Sequence, residues 1–116
     1  MTSTMSGAEM RVALHRLGLT LSAFSKYTGW DSRTLTRQST GVLPVPDRVE
    51  EKIRELERQA AVELERFNAA TEDGIPIYLP RLNTPQGPGG LPPHWWLAIA
   101  ARCQEAWGEY AQFEWE

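Results

Sequence analysis

The sequence predicts a mainly α-helical fold, in which an N-terminal helix-turn-helix bundle of four to five helices precedes a small strand–helix–strand element. Over residues 1–70, apolar residues recur every three or four positions between residues that favour helix ends, which is typical of amphipathic helices. Over residues 71–116, short β-prone runs flank one apolar helical segment, a pattern that favours strands on either side of a helix. We therefore place a domain boundary between residues 70 and 71.

Three short helices are predicted in the first 41 residues. Each follows a residue that can cap a free backbone N–H, and each is followed by a glycine that can adopt a left-handed conformation. The predicted helices span about 7–17 after Ser6, about 21–28 after Thr20, and about 32–39 after Asp31. The glycines after them are Gly18, Gly29 and Gly41. The short connection between the second and third helices is typical of a helix-turn-helix motif.

A longer helix is predicted over about 47–70, after a rigid connector at 42–47 in which prolines block helix continuation. Its apolar residues step by three or four positions and form one stripe. The stripe consists of Val49, Ile53, Leu56, Ala60, Leu64 and Phe67. The other faces mix glutamate with arginine and lysine, so we expect them to be solvated.

The C-terminal part of the chain differs in composition. Residues 75–79 predict a short strand, and residues 81–93 predict a loop rich in glycine and proline. An apolar helix is predicted over about 94–107, with Trp96 on its inward side. Residues 110–116 alternate with a period of two, which predicts a second strand.

Composition argues against several classes of site. The single cysteine, Cys103, excludes an internal disulfide and is too little for a zinc finger. His15 and His94 have no second ligand at metal spacing, and the GPGG segment at 87–90 lacks the lysine of a phosphate-binding loop. We therefore expect no catalytic residues, no metal and no cofactor.

The chain is also expected to be cytoplasmic and not to be bound to a membrane. No apolar stretch approaches the roughly 18 residues that span a bilayer. The N-terminal MTSTMSGAEM has neither a basic leader nor an apolar core, so no secretory signal is predicted.

Charge is distributed unevenly along the chain, whose formal net charge is −3. Residues 1–46 carry five basic and two acidic side chains, a net charge of +3, whereas residues 47–116 carry seven basic and thirteen acidic ones, a net charge of −6. A basic N-terminal part and an acidic C-terminal part would orient the molecule with its N-terminal part toward a phosphate surface. This distribution supports nucleic-acid binding without establishing it.

The segment LTLSAFSKYTGWDSRTLTRQSTG, residues 19–41, resembles the motif of the lambda-repressor-like (Xre/Cro) helix-turn-helix family. The matching positions are Leu19, Thr20, Phe24, Ser25, Gly29, Leu35 and Gly41. The resemblance covers residues 6–58, because VPDRVEEKIREL also looks like the helix that follows the motif. It implies a sequence-specific transcriptional regulator that binds double-stranded DNA, with its third helix in the major groove.

The resemblance also implies which residues contact DNA. By position, base contacts fall on Ser32, Arg33, Thr36 and Arg37. Since Leu35 must face the core, these four positions lie on the opposite or flanking surface. The expected phosphate contacts are Thr20, Leu21, Lys26, Thr40 and Arg48. The alternative, in which both arginines contact only phosphates or are solvated, stays open at this point. Asp31 is expected to turn toward its own helix as a cap.

Two features depart from the family pattern. Many members have Trp-Glu where this chain has Gln38 and Ser39, and a small aliphatic residue where it has Trp30. The bracing of the third helix at its C-terminal end therefore cannot be carried over from the family.

Four of the five tryptophans lie in the last 22 residues, and a 46-residue strand–helix–strand element cannot bury them all by itself. They pack either on the long helix of the same subunit or on a second copy. Because aromatic residues are enriched at interface cores and the last strand offers an open edge, we predict a homodimer through this region. The predicted interface residues are Trp95, Trp96, Trp107, Phe113 and Trp115.

The order of elements is also similar to that of compact repressors associated with anti-CRISPR operons, which implies autoregulation from an inverted repeat. Two other functions remain open. An antitoxin-type protein would bind its own promoter and hold a toxin partner with the aromatic region. A protein-interaction module would carry a helix-turn-helix that no longer binds DNA.

Overall fold

The computed structural model describes residues 3–116 and confirms the mainly α-helical fold. Within these residues five α-helices and one two-stranded sheet are present. The helices are α1 (Gly7–Arg16), α2 (Leu21–Thr28), α3 (Ser32–Ser39), α4 (Asp47–Glu72) and α5 (Pro93–Trp107). The strands are β1 (Ile77–Leu79) and β2 (Phe113–Trp115). Single 3₁₀ turns occur at Pro88–Gly90 and Gly108–Tyr110.

The chain divides into two compact units, Met1–Glu57 and Arg58–Glu116, and the division falls inside α4. The sequence placed the boundary after residue 70, because the helical pattern of α4 is uninterrupted up to that point. An unbroken apolar stripe gives no sign that its two halves pack into different cores. The second half of α4 therefore belongs with the C-terminal unit.

The first unit consists of α1, α2, α3 and the beginning of α4. Its helices begin where the capping residues predict: the Ser6 hydroxyl accepts from the Glu9 N–H at 3.0 Å, and the Glu9 carboxylate accepts from the Ser6 N–H at 3.0 Å. The hydroxyl of Thr20 caps α2 in the same way by accepting from the Ala23 N–H. The side chains that fill this core include Met10, Leu14, Phe24, Leu35, Val45, Val49, Ile53 and Leu56.

A close backbone approach in the first unit explains Gly7, the first residue of α1. A Cβ atom at this position would lie 2.5 Å from the Gln38 carbonyl oxygen and 2.6 Å from that of Ser39. Real Cβ atoms do not come this near to backbone oxygens, and backbone cannot move aside as a flexible side chain can. Glycine at position 7 therefore lets α1 pack directly on the C-terminal end of α3.

We expect Gly7→Ala to lower the free energy of unfolding by about 1–3 kcal/mol, the usual cost of overpacking. The sign of this change in unfolding free energy is informative, because glycine-to-alanine changes without strain stabilise proteins by about 0.4–1 kcal/mol. Urea unfolding of the variant gives this free energy. The control is Ala8→Gly at the exposed neighbouring position, which reports the helix propensity of glycine in the same turn. A more stable Gly7→Ala variant would contradict the close approach.

The second unit contains the end of α4, both strands and α5. The strands pair in parallel, with Ile77 opposite Phe113 and Leu79 opposite Trp115, and the connection between them contains α5. The predicted first strand began at Ile75, but that residue is 55% exposed and precedes the paired segment. The second strand is likewise limited to three residues.

The tryptophans of α5 pack within their own chain. The Trp96 ring centroid lies 6.4 Å from that of Phe67, and the Trp107 indole N–H donates to the Asn68 side-chain oxygen at 3.1 Å. Trp95 is 1% exposed, so its side chain has no surface to offer a second copy. Trp95 is therefore a core residue, which corrects its assignment to a dimer interface.

Candidate nucleic-acid interface

A tight, internally bonded turn joins α2 to α3. Gly29 ends α2 with a φ of 77°, the left-handed conformation that glycine adopts readily, and its N–H donates to the Ser25 carbonyl. The Ser25 hydroxyl donates to the carbonyl of Trp30, and the Trp30 N–H donates to the Thr28 hydroxyl at 3.2 Å. These bonds fix the direction in which α3 leaves the turn.

Asp31 caps α3, as its position predicts. Its carboxylate accepts from the Thr34 N–H at 2.9 Å and from the Thr34 hydroxyl at 2.8 Å. These two hydrogen bonds are the main reason that the pKa of the Asp31 carboxyl is lowered, and the positive charges of Arg33 and Arg37 lower that pKa further. The negative charge at the start of the helix is thus directed toward the helix itself.

The outward side of α3 carries the four predicted base-contacting residues, which we call the recognition face: Ser32, Arg33, Thr36 and Arg37. All four are exposed, whereas Leu35 between them is 2% exposed and faces the core. Within residues 3–116 neither arginine forms an ion pair. The Thr36 hydroxyl donates to the Ser32 carbonyl at 2.8 Å, so only its oxygen lone pairs remain for a ligand.

The C-terminal end of α3 is braced at Gln38 and Ser39, where the sequence differs from the motif that it resembles. Gln38 and Ser39 are both buried, and the Ser39 hydroxyl donates to the Thr36 carbonyl at 2.8 Å. Their carbonyl groups lie against Gly7. Direct contact between α1 and the α3 backbone is therefore what holds this end of the helix.

The predicted phosphate contacts differ in their surroundings. Thr20 is exposed, and its hydroxyl caps α2, of which the half-buried Leu21 is the first residue. Lys26 is also exposed. The Thr40 hydroxyl donates to the Thr36 carbonyl at 3.1 Å. The exposed Arg48 places its guanidinium carbon 5.1 Å from the centroid of the Trp30 ring.

Two residues that are not among the predicted DNA contacts lie beside the start of α2. Arg11 and His15 line a cleft of about 250 Å³ together with Thr20 and Leu21. Arg11 and His15 are one helical turn apart on α1, so their shared face is visible in the sequence. What the sequence does not show is that this face of α1 lies next to the N-terminus of α2.

The second unit presents a separate apolar groove of about 390 Å³ between α5 and β2. It is lined by Leu79, Leu97, Ala100, Ala101, Gln104, Phe113, Glu114 and Trp115. Trp115 is 47% exposed, and within residues 3–116 no third strand pairs with the sheet. A half-exposed tryptophan therefore lies next to an open strand edge.

In residues 3–116 no three His, Cys, Asp or Glu side chains come together as metal ligands would. None of the described helices combines the length and the apolar character needed to cross a bilayer. The sequence matches no protein-family model and no curated protein.

The Asp31 cap leads to a pH-dependent prediction. Since the pKa of this carboxyl lies below its ordinary value of 3.8 in the folded protein, its stabilising contribution is present above that value and is lost as the pH falls through the lowered pKa. Asparagine is an equally good cap that does not titrate here. We therefore expect Asp31→Asn to have the same melting temperature as the parent chain at pH 7. Between pH 5 and pH 2, the melting temperature of Asp31→Asn should fall less than that of the parent chain. Equal losses in acid would contradict this role of Asp31.

Proposed function

We propose that the chain is a sequence-specific DNA-binding transcriptional regulator, an autoregulating cytoplasmic repressor that acts as a homodimer on an inverted repeat. The observation that supports this most is the recognition face, which exposes two unpaired arginines, Arg33 in the first turn and Arg37 in the last turn of a helix held by a bonded turn. A helix presented in this way fits the major groove of B-DNA, with its N-terminal residues toward the bases.

A contrast with three of the five cations of α4 strengthens the proposal. Lys52, Arg54 and Arg66 each bond to a glutamate three residues away, at 2.9–3.3 Å. Arg33 and Arg37 have no such partner within residues 3–116. Both belong to the N-terminal 46 residues, whose net charge is +3. Unpaired arginines on a positively charged surface are better suited to an anionic ligand than to stabilising the fold.

The homodimer follows from the size of the recognition face. One short helix contacts only a few base pairs, and helix-turn-helix proteins reach useful specificity by placing two such helices about 34 Å apart on a two-fold site. We propose the groove between α5 and β2 as the surface that pairs two copies, because β2 has an open edge for strand pairing and Trp115 offers apolar surface beside it. A second copy of the chain is thus the proposed occupant of the groove.

Selection of duplexes from a random DNA library tests both parts of the proposal. We expect enrichment of an inverted repeat whose half-sites lie one or two helical turns apart, and affinity that falls steeply with salt concentration. The double variant Arg33→Ala/Arg37→Ala is the matched control and should enrich no sequence. A single half-site would contradict the dimer. No salt-dependent binding to any duplex would contradict DNA binding and would favour a protein-interaction module.

A further inference from the structure

Arg48 occupies a position that the stability of its own helix does not explain. It is the second residue of α4, where the helix dipole disfavours a positive charge. Within residues 3–116 no carboxylate oxygen lies within 4 Å of its guanidinium. Its partner is instead an aromatic ring, since the guanidinium carbon lies 5.1 Å from the centroid of Trp30.

Trp30 is itself held firmly. Its ring packs edge-to-face on Phe24, with the centroids 5.9 Å apart and the planes at 81°. Its backbone N–H and carbonyl group are both bonded to side chains of α2, those of Thr28 and Ser25. The ring is therefore a fixed platform, and Arg48 lies over it while remaining exposed. A cation placed over a tryptophan face is attracted by the ring and keeps its N–H donors free for another ligand.

The position of the Trp30 ring shows where the Arg48 guanidinium lies relative to α3. Trp30 directly precedes Asp31, the cap of α3, so the Arg48 guanidinium lies near the N-terminal end of α3. Phosphates line the edges of the major groove that such a helix enters. A long arginine side chain normally loses much rotamer freedom when it binds, and stacking restricts that freedom beforehand.

We propose that Trp30 is a positioning residue that holds Arg48 ready for a backbone phosphate at the entrance of the groove, so that the two residues act as one phosphate clamp. The clamp rests on the proposed DNA-binding function. It assigns a role to Trp30, which the family resemblance leaves as an unexplained departure.

A double-mutant cycle on the full chain tests the clamp. Fluorescence anisotropy measures affinity for the selected operator and for a random duplex at several salt concentrations. Arg48→Ala should lower both affinities about 3- to 10-fold per subunit and reduce the slope of log affinity against log salt by about 1.8, because the homodimer loses two phosphate contacts. Trp30→Leu should reproduce most of this loss although the arginine is still present. The double variant should be no weaker than Arg48→Ala alone.

Two further variants show whether the effect is specific. Trp30→Tyr keeps an aromatic face and should retain most of the affinity, which a merely structural role of residue 30 would not predict. Arg54→Ala removes an equal charge from the same helix, but one that is paired with Glu57, and should leave the salt slope unchanged. Melting temperatures identify any variant that fails to fold. If Trp30→Leu fails to fold, the cycle is completed with Trp30→Met, which also lacks an aromatic face and should reproduce most of the loss.

The outcomes separate the clamp from the function on which it rests. Losses that multiply in the double variant, or full affinity in Trp30→Leu, would overturn the clamp while leaving DNA binding intact. Absence of duplex binding by the parent chain would overturn both. Coupled losses with rescue by tyrosine would establish the clamp.

Discussion

Replacing either Arg33 or Arg37 with alanine is expected to weaken binding to the selected operator by about 1–3 kcal/mol per half-site, a loss of roughly 5- to 150-fold for each. The guanidinium group can bond a guanine base through two parallel hydrogen bonds, and alanine removes both. Both side chains are exposed and unpaired within residues 3–116, so their removal should leave the fold intact. Anisotropy titrations with operator and random duplexes measure the effect.

The comparison between duplexes separates base contacts from phosphate contacts. A base contact affects the operator alone, whereas a phosphate contact weakens binding to every sequence. Arg16→Ala, an exposed arginine at the end of α1, is the control for removing a charge from the first unit. Equal losses on both duplexes would show that Arg33 and Arg37 contact only phosphates.

Trp115→Glu is expected to convert a dimer into a monomer and to lower operator affinity by about 10²- to 10⁴-fold, because two linked half-site contacts become one. A glutamate in the groove between α5 and β2 would have to be buried or leave the interface open. Trp115 is 47% exposed in the single chain, so the change should not unfold the second unit. Analytical ultracentrifugation at micromolar concentration reports the mass.

The matched control is Tyr110→Glu, which introduces the same charge at another exposed aromatic residue that does not line the groove. It should remain dimeric and keep its operator affinity. A parent chain that is monomeric at micromolar concentration would refute the dimer directly. A Trp115→Glu variant that stays dimeric would show that the dimer interface lies on another surface.

The parts of the fold that depend on neighbouring residues were predictable. Ser6, Thr20 and Asp31 set the first residues of α1, α2 and α3 through hydrogen bonds that span three positions. The recognition face followed from one constraint, that Leu35 is buried and the residues around it are not. Capping and periodicity are local properties, so a single sequence reveals them.

The parts that depend on distant residues were not predictable. At the start of α5 apolar residues occur on every side, so periodicity could not show that Trp95 is more deeply buried than Trp96. The contact of Gly7 with the α3 backbone and that of Arg48 with Trp30 join residues that are far apart in the chain. Neither contact produces a recognisable pattern among neighbouring residues of the sequence.

The parallel pairing of β1 with β2 has a consequence for the order of folding. Parallel partners cannot be joined by a tight turn, so this sheet closes only after the long loop and α5 between its strands are in place. The hydrogen bonds within each helix of the first unit are local, and this unit is synthesised first, so its helices should form sooner. Under the proposed function, a chain emerging from the ribosome would display a surface for DNA before it could recruit a second copy.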